Sequence, residues 1–485
     1  MTLDRELTFG EQTAIATKAA GKSCRVLAAL ANTSYGVMKQ DLVPVFHAVV
    51  KSKLDYSGPA WQANLCDTNR EKLDVAQNKA LRIITGQFKD SPLDSLRRET
   101  GVPSYYTHMD RNILKSREKA LRFPADHPRR IARDIAVPKR LVRHSWRSKG
   151  DELASSTALD SFSKRKDIVY HTLAPWDDGV LCNVYSKVPG LLNGRQEKDV
   201  LKRRDLSYKR IREIAAEYVI YSDGSAAEGT LEGGAGVVVT FGEPDDPTVV
   251  DTLMKRGSAI TCSFSEEATA LEMSLDWIKE HCVAETKVAI CTDSQSLCEA
   301  LLGCGDDVAA LRGKLLSAEA QIQIQWIPGH SKIAGNDLAD SAAKEATTLQ
   351  DDPTEITYKS ACAYIRSTIK DTPSHERTAE VYAEFSRKKE KEVKTRADQT
   401  MLARIRSGHH WCLESYHKLV DPDHDARCKE TECKGATHDL KHWFCECCAL
   451  TSVRQRVFGQ PVVELDWLIA DSAAAITYSR AAMGL

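Results

Sequence analysis

Four acidic residues stand where their side chains could do chemistry. Asp223 closes the apolar run YVIYS, Glu267 opens SFSEEATALEMSLDWIKEHC, Asp293 closes KVAICT, and Asp340 sits in IAGNDLAD. A carboxylate at the end of a hydrophobic strand is costly to bury, and several at hydrogen-bonding distance repel unless protons or cations neutralise them. Hard carboxylate oxygens select magnesium or manganese rather than zinc. Two such ions roughly 4 Å apart stabilise both the attacking and the leaving oxygen of an in-line phosphoryl displacement. Glu266 competes with Glu267 for the second position, although Glu267 lies nearer the apolar stripe through Ala268 and Leu271. Singly, each segment has a plainer meaning: SDGS as a hairpin turn, TDSQS as a helix cap, an acid in a first helical turn as dipole compensation. Together and in this order they point to one shared cation site.

The surrounding pattern supplies the elements that must hold these acids. Residues 218–225 and 233–241 read as an antiparallel hairpin, and a third strand falls between 248 and 261. Phe264, Ala268, Leu271, Leu275 and Ile278 recur at 4-3-4-3 spacing, one stripe of a helix that carries Glu267 in its first turn. KVAICTD is a short buried strand, with Ser294 placed to cap the next helix. In QIQIQW, Ile322, Ile324 and Trp326 face one way, as in a half-buried strand. The loop IPGHSKIAGN then leads into a helix whose apolar face is expected to include Leu338, Ala342 and Ala346, with Asp340 one turn in. The order β-β-β-α-β-α-β-α predicts an α/β unit with a mixed five-stranded sheet and flanking helices.

YSDGS with GGAGVV, SFSEEATAL, CTDSQS and IPGHSKIAGNDLAD resemble the successive signature segments of ribonuclease H, in the form fused to non-LTR (LINE-type) retrotransposon reverse transcriptases. The resemblance spans 216–349. It implies a ribonuclease H-like fold in which Asp223, Glu267, Asp293 and Asp340 bind two Mg²⁺ or Mn²⁺ ions. His330, in the PGH loop, takes the position of the family histidine that assists proton transfer and product release. The spacing after His330 aligns Asp340 with the fourth acid and leaves Asp337 as a first-turn helix residue. The implied activity is endonucleolytic hydrolysis of the RNA strand of an RNA–DNA hybrid, leaving 3′-hydroxyl and 5′-phosphate ends, with 2′-hydroxyls sensed on one strand. Transposases of similar fold carry their last acid as a Glu on the final helix and none on the first helix, so Glu267 favours ribonuclease H.

Composition sets the wider frame. A chain of 485 residues with 42% hydrophobic content buries a sizeable core in two to four units, and a net charge of −1 gives no global nucleic-acid signature. The opening MTLDRELTFGEQ lacks a basic segment followed by an apolar one, and no run approaches eighteen apolar residues. We therefore expect an intracellular, membrane-free protein, nuclear or cytoplasmic, whose fifteen cysteines are mostly reduced thiols or metal ligands. By texture, 1–145 is helical, with Leu73, Ala76, Ala80 and Ile83 at helical spacing. Residues 146–215 form a Pro-punctuated linker with some helix that ends in the basic run LKRRDLSYKRIRE. The α/β unit fills 216–349, 350–400 is charged and helical, and 401–485 concentrates Cys and His. VVKSKLDYSGPAWQANLCDTNREKLDVAQNKALRIITGQFKDSPLDSLRRETGVP resembles the thumb and its extension in the same retrotransposon proteins. Lys72, Lys79 and Arg82 there present either a phosphate-facing surface or a plain solvated helix face. No aromatic-Ala-Asp-Asp polymerase motif occurs, so no polymerase activity is expected, and a separate reverse transcriptase chain is a candidate partner. GKS at 21–23 is no phosphate loop, because Ala16 stands where the first glycine is required.

The segment CKETECKGATHDLKHWFCECC offers Cys428-x4-Cys433-x8-His442-x4-Cys447 and resembles the CCHC knuckle of such retrotransposon proteins, as does the preceding RSGHHWCLESYHKL. Thiolates and imidazole at this spacing suit tetrahedral zinc, whose binding would add on the order of 10 kcal/mol to a small zinc-knuckle segment with little core. Cys445, Cys448 and His438 are close enough to substitute; Cys428, Cys433, His438 and His442 form a second set, and an unmetallated cysteine-rich tail is the plain alternative. A knuckle here would grip single-stranded nucleic acid, with Trp443 or Phe444 available for stacking. The whole reads as a retrotransposon-derived, metal-dependent hybrid ribonuclease. The alternatives are a non-catalytic nucleic-acid-binding scaffold or a degenerate retrotransposon fragment.

Overall fold

The computed structural model describes residues 2–5, 7–135, 145–162, 165–168, 183–191, 199–303, 306–351, 353–372, 381–382 and 393–484. The chain forms two compact units, neither contiguous in sequence. One comprises Met1–Ile113, Val142–Lys149 and Lys370–Leu485, the other Leu114–Leu141 and Gly150–Ile369. Among the described residues no helix is long and apolar enough to cross a membrane.

The first unit joins the two ends of the chain. In its N-terminal part, helix Gly10–Leu30 lays Ala16, Ala20 and Leu27 against Leu73, Ala80, Leu81 and Ile84 of helix Asp67–Thr85. GKS lies inside the first of these helices, and on the second Lys72 and Lys79 are exposed while Arg82 is half-buried. The C-terminal part, expected to have little core, has a substantial one built on Leu402, Ile405, Trp443, Phe444, Leu468 and Tyr478. Trp443 is 3% and Phe444 0% exposed, so neither is available for stacking: helix Ser472–Ala482 brings Tyr478 against both rings. The two parts are tied by polar groups that would be orphaned apart. Glu99, fully buried, pairs with Lys39 and Arg406 and accepts a hydrogen bond from Tyr382. Burial pushes its carboxyl up, but the two cations outweigh that and hold it at about 2. The Arg396 guanidinium donates to the carbonyls of Asn32, Ile83 and Ile84.

The second unit is a sheet with helices on both faces. Its strands are β1 (Val184–Tyr185), β2 (Tyr218–Ala227), β3 (Leu231–Phe241), β4 (Thr248–Arg256), β5 (Lys287–Thr292) and β6 (Gln321–Trp326), in the spatial order β1-β6-β5-β2-β3-β4. The helices used below are α1 (Val200–Ile214), α2 (Ser263–His281), α3 (Gln295–Leu302), α4 (Ala309–Leu316), α5 (Ala334–Ala346) and α6 (Tyr358–Thr368). Strands β2, β3 and β4 form an antiparallel meander, and β2, β5, β6 and β1 run parallel. The expected mixed sheet is therefore present, with a sixth strand where five were expected: Val184 and Tyr185, in the stretch read as a linker, pair with Ile324 and Gln325.

The central strands are covered on both sides, which is why they read as near-continuous apolar runs. Ile220, Val237, Val239 and Ile290 meet Ala270, Leu271, Leu275 and Ile278 of α2 and Leu297 and Leu301 of α3. Val219, Tyr221, Val238 and Cys291 meet Tyr208 and Ile211 of α1, Ile333 just before α5 and Ala339 on it. On α5 the expectation needs correcting. Leu338 is 45% exposed, and the buried line runs through Ala339, Ala342, Ala343 and Ala346. The reason is closeness: a Cβ on Gly236 of β3 would stand 2.3 Å from the Ala343 nitrogen, so only small residues fit on the inner face of α5. That contact sets the height of Asp340 above the sheet. Gly236→Ala should therefore cost about 1–3 kcal/mol through forced separation of α5 from β3. Denaturant titration of the full chain checks this, and an unchanged midpoint would contradict the close approach.

Candidate functional site

The parallel pairing of β2 with β5 ends at Ser222 opposite Thr292. Asp223 and Asp293 are the next residue on each strand, so the register alone sets two carboxylates side by side at one sheet edge. The first turn of α2 lies over the same edge and adds Glu267, 6% exposed. One carboxylate oxygen from each of Asp223, Glu267 and Asp293 lies within 4.8 Å of the others. Local bonds fix each acid. The Gly224 N–H donates to Asp223 Oδ1 at 2.8 Å, the Thr292 hydroxyl to Glu267 Oε2 at 3.4 Å, and the Trp326 indole to the Asp293 carbonyl at 3.0 Å. Asp340 reaches the rim of this group from α5. Its carboxyl is within hydrogen-bonding reach of Asp223, and its other neighbour is Lys344, at 2.6 Å. Asp337 is an exposed first-turn residue on α5.

The electrostatics follow from crowding like charges. Burial, reinforced by Asp293 and Asp340, pushes Asp223 up to about 7. Burial also drives Glu267 well above the usual carboxylate range, with Asp223 and Asp293 adding to it. Asp293 is raised by burial and by Asp340, against a pull downward from His330. His330 is exposed, has a left-handed backbone with φ 50°, and follows a glycine so close to Asp293 that a Cβ there would stand 2.4 Å from Oδ2. An acid group held above its ordinary pKa by its neighbours is one that a divalent cation relieves, and the hard oxygen donors suit Mg²⁺ or Mn²⁺. Of the residues named from the sequence, Asp223, Glu267 and Asp293 meet in one group, Asp340 lies at its rim and His330 on the adjoining loop; Thr292 and Lys344 were not foreseen, because their contacts depend on strand register and helix rotation.

A second constellation lies in the C-terminal part of the first unit. Ligand atoms of Cys428, Cys433, His442 and Cys447 fall within 4.8 Å of one another. His442 opens a wide π-type turn, His442–Glu446, started by its N–H bonding to Asp439 Oδ1 at 2.9 Å, and that turn delivers Cys447 next to it. His442 Nε2 is buried without a hydrogen-bond partner, which a metal ion would supply. The competing His438 accepts a hydrogen bond at Nδ1 from the Glu414 N–H, 3.3 Å away, and is not in the group. Cys445 is buried in the core. Cys448 is the nearest further thiol, 3.2 Å from the Cys433 sulfur.

Residues 215–348 match the RNase H family. Among solved structures the chain is similar to LC11-RNase H1, obtained from compost by a metagenomic approach and crystallised with an RNA/DNA hybrid, at 17% identity over 27% of this chain and 99% of that one, TM-score 0.24. It is similar also to RNase H1 from the halophilic archaeon Halobacterium salinarum NRC-1, at 20% identity over 27% and 96%, TM-score 0.23. The N-terminal RNase H domain of Rv2228c from Mycobacterium tuberculosis, fused to maltose-binding protein, gives 23% identity over 27% and 98%, TM-score 0.23. No match was found among curated proteins.

The raised carboxyls give the acid cluster a definite pH response. Unfolded carboxyls titrate near about 3.9 to 4.3, whereas Asp223 does so at about 7, so between these values the folded metal-free chain holds more protons. The cluster's contribution to stability is therefore greatest at low pH and falls as pH rises through that window. A divalent cation must displace those protons, so its affinity should rise with pH through that window. Titration calorimetry with Mn²⁺ at about pH 6 and about pH 8 should show tighter binding and less proton release at the higher pH. Equal affinity at both would contradict the crowding of the three acids.

Proposed function

We propose that the RNase H-like part of this chain hydrolyses the RNA strand of RNA–DNA hybrids, with two divalent cations held by Asp223, Glu267, Asp293 and Asp340. The observation that carries the reading is the meeting of Asp223, Glu267 and Asp293 oxygens within 4.8 Å. When bound there, Mg²⁺ or Mn²⁺ supplies the positive charge that stabilises the attacking and leaving oxygens of a phosphodiester displacement. The residues of the chain do the rest. Asp223 and Asp293 are anchored at adjacent strand ends, Glu267 is buried beside them, and Asp340 stands at the more exposed rim, where its partner Lys344 can yield to a cation. His330 is exposed on the loop beside Asp293, in reach of the cleaved phosphate to assist proton transfer and the release of product. The expected products carry 3′-hydroxyl and 5′-phosphate ends. This activity is read onto the chain from the family match at 215–348 and the acids it contains.

We take the chain as retrotransposon-derived, with its N-terminal helices corresponding to a polymerase thumb and its C-terminal cluster to a zinc knuckle. Cys428, Cys433, His442 and Cys447 would hold Zn²⁺, with His442 Nε2 as the imidazole donor. Any base stacking in this region falls to Trp411, 49% exposed, since Trp443 and Phe444 are in the core.

Two experiments test these readings. Purified protein with Mg²⁺ should cut a labelled RNA–DNA hybrid in the RNA strand, and Asp293→Asn should bring cutting below detection while hybrid binding persists. Equal, metal-independent binding of hybrid and duplex DNA without cleavage would instead identify a nucleic-acid scaffold. Chelation should release one zinc ion per chain and speed hydrogen exchange across 426–447, because structural zinc contributes on the order of 10 kcal/mol to such sites. Protein purified from zinc-supplemented medium that contains no zinc would overturn the knuckle assignment.

A further inference from the structure

Glu266 points away from its neighbour Glu267 and is 2% exposed. Its carboxyl fills a slot walled by backbone. A Cβ on Gly233 would stand 2.3 Å from Oε1, and one on Gly257 2.2 Å from Oε2. The Thr261 hydroxyl donates to Oε1, and the Ser258 N–H is a second, backbone donor to the carboxyl. The slot is itself braced: the Gly257 N–H bonds to the Gly233 carbonyl at 2.8 Å, and the Gly233 N–H to the Ser258 carbonyl at 3.0 Å. One residue earlier on the same turn, Ser265 Oγ lies 2.9 Å from both Thr357 Oγ1 and Ser360 Oγ at the start of α6. Successive residues of a helix are about 100° apart. With Ser265 and Glu266 both fastened, the first turn of α2 has one rotation left, and it aims Glu267 at Asp223 and Asp293. An apolar side chain would fill the slot without burying a carboxyl, so the acid is retained at a local cost, as happens beside functional sites.

We infer that Glu266 is a positioning residue: a wedge between Gly233, Gly257 and Thr261 that sets the rotation of α2 and so the place of Glu267 in the cation site. The inference rests on the three carboxylates being a divalent-cation site. It does not require that the chain cut hybrids.

The test is Mn²⁺ binding to the full chain by titration calorimetry, with thermal unfolding measured in parallel. The Mn²⁺ bound by wild type but lost in Asp293→Asn defines the site. Glu266→Ala should weaken that binding about 10-fold or more, the range for residues that orient a metal ligand. Glu266→Gln, which keeps the shape and the Thr261 bond, should bind like wild type. Gly257→Ala, which drives a methyl into Oε2, should weaken binding as Glu266→Ala does. Wild-type Mn²⁺ affinity in both Glu266→Ala and Gly257→Ala, with only a lower melting temperature, would overturn the inference. Should Glu266→Ala fail to fold, Gly257→Ala decides: wild-type affinity there overturns it as well. If Asp293→Asn loses no Mn²⁺, the cation-site reading falls and the wedge with it. If wild type binds Mn²⁺ but leaves hybrid intact, only the nuclease reading falls.

Discussion

Two carboxylates set side by side at the ends of adjacent parallel strands repel each other, and the second unit is organised around keeping them there. Local contacts, such as the Gly224 N–H on Asp223, offset only part of that repulsion. Asp223 and Asp293 follow directly from the register Ser222 opposite Thr292, and that register is in turn set by the apolar residues on both faces of β2 and β5. The sheet's hydrophobic burial, spread over many residues, offsets an electrostatic cost concentrated in a few. Glu267 and Asp340 add to the cost from opposite faces of the sheet. Each arrives on a helix pressed unusually close to a strand, which is possible because glycines stand at the contact points.

The two metal-suited groups among the described residues divide by donor chemistry. One is all oxygen, at the edge of a sheet, with Asp340 at its open rim; the other is three thiols and an imidazole, mostly buried, on a short turn. The first, open at its rim, suits hard cations that keep exchangeable ligands, whereas the second offers a full set of four soft donors and suits a structural ion. They occupy different units of the fold.

Much of this was legible in the sequence because charge interrupted pattern. Asp223 and Asp293 were visible as polar endings to apolar strands, and QIQIQW gave β6 its bounds through strict alternation. The Cys and His spacing favoured Cys428, Cys433, His442 and Cys447 with His438 as a rival, and the structure groups the first four while His438 Nδ1 takes the Glu414 N–H. What failed had tertiary causes. Leu338 fits a helical apolar stripe, yet the glycines of β3 draw α5 so near that alanines take the inner face. Trp443 and Phe444 look like exposed aromatics in a short cysteine-rich segment, but residues some 35 positions later bury them, Tyr478 donating to the Trp443 carbonyl. Val184 and Tyr185 carry no strand pattern of their own and pair only because β6 leaves an edge open.

The first unit is closed by residues from both ends of the chain, and that has a consequence for how the protein is made. Glu99 and its partner Arg406 are 307 positions apart, and Arg396 reaches back 312 positions to the Ile84 carbonyl. At roughly 5–20 residues per second, a ribosome takes roughly 15–60 s to deliver the second partner after the first has emerged. Through that interval the N-terminal helices wait with Glu99 paired to Lys39 alone and with open carbonyls, while the sheet-bearing unit is encoded in between. Within these residues the sheet-bearing unit can therefore close before the helical one, whose first half depends longest on whatever shields it in the cell.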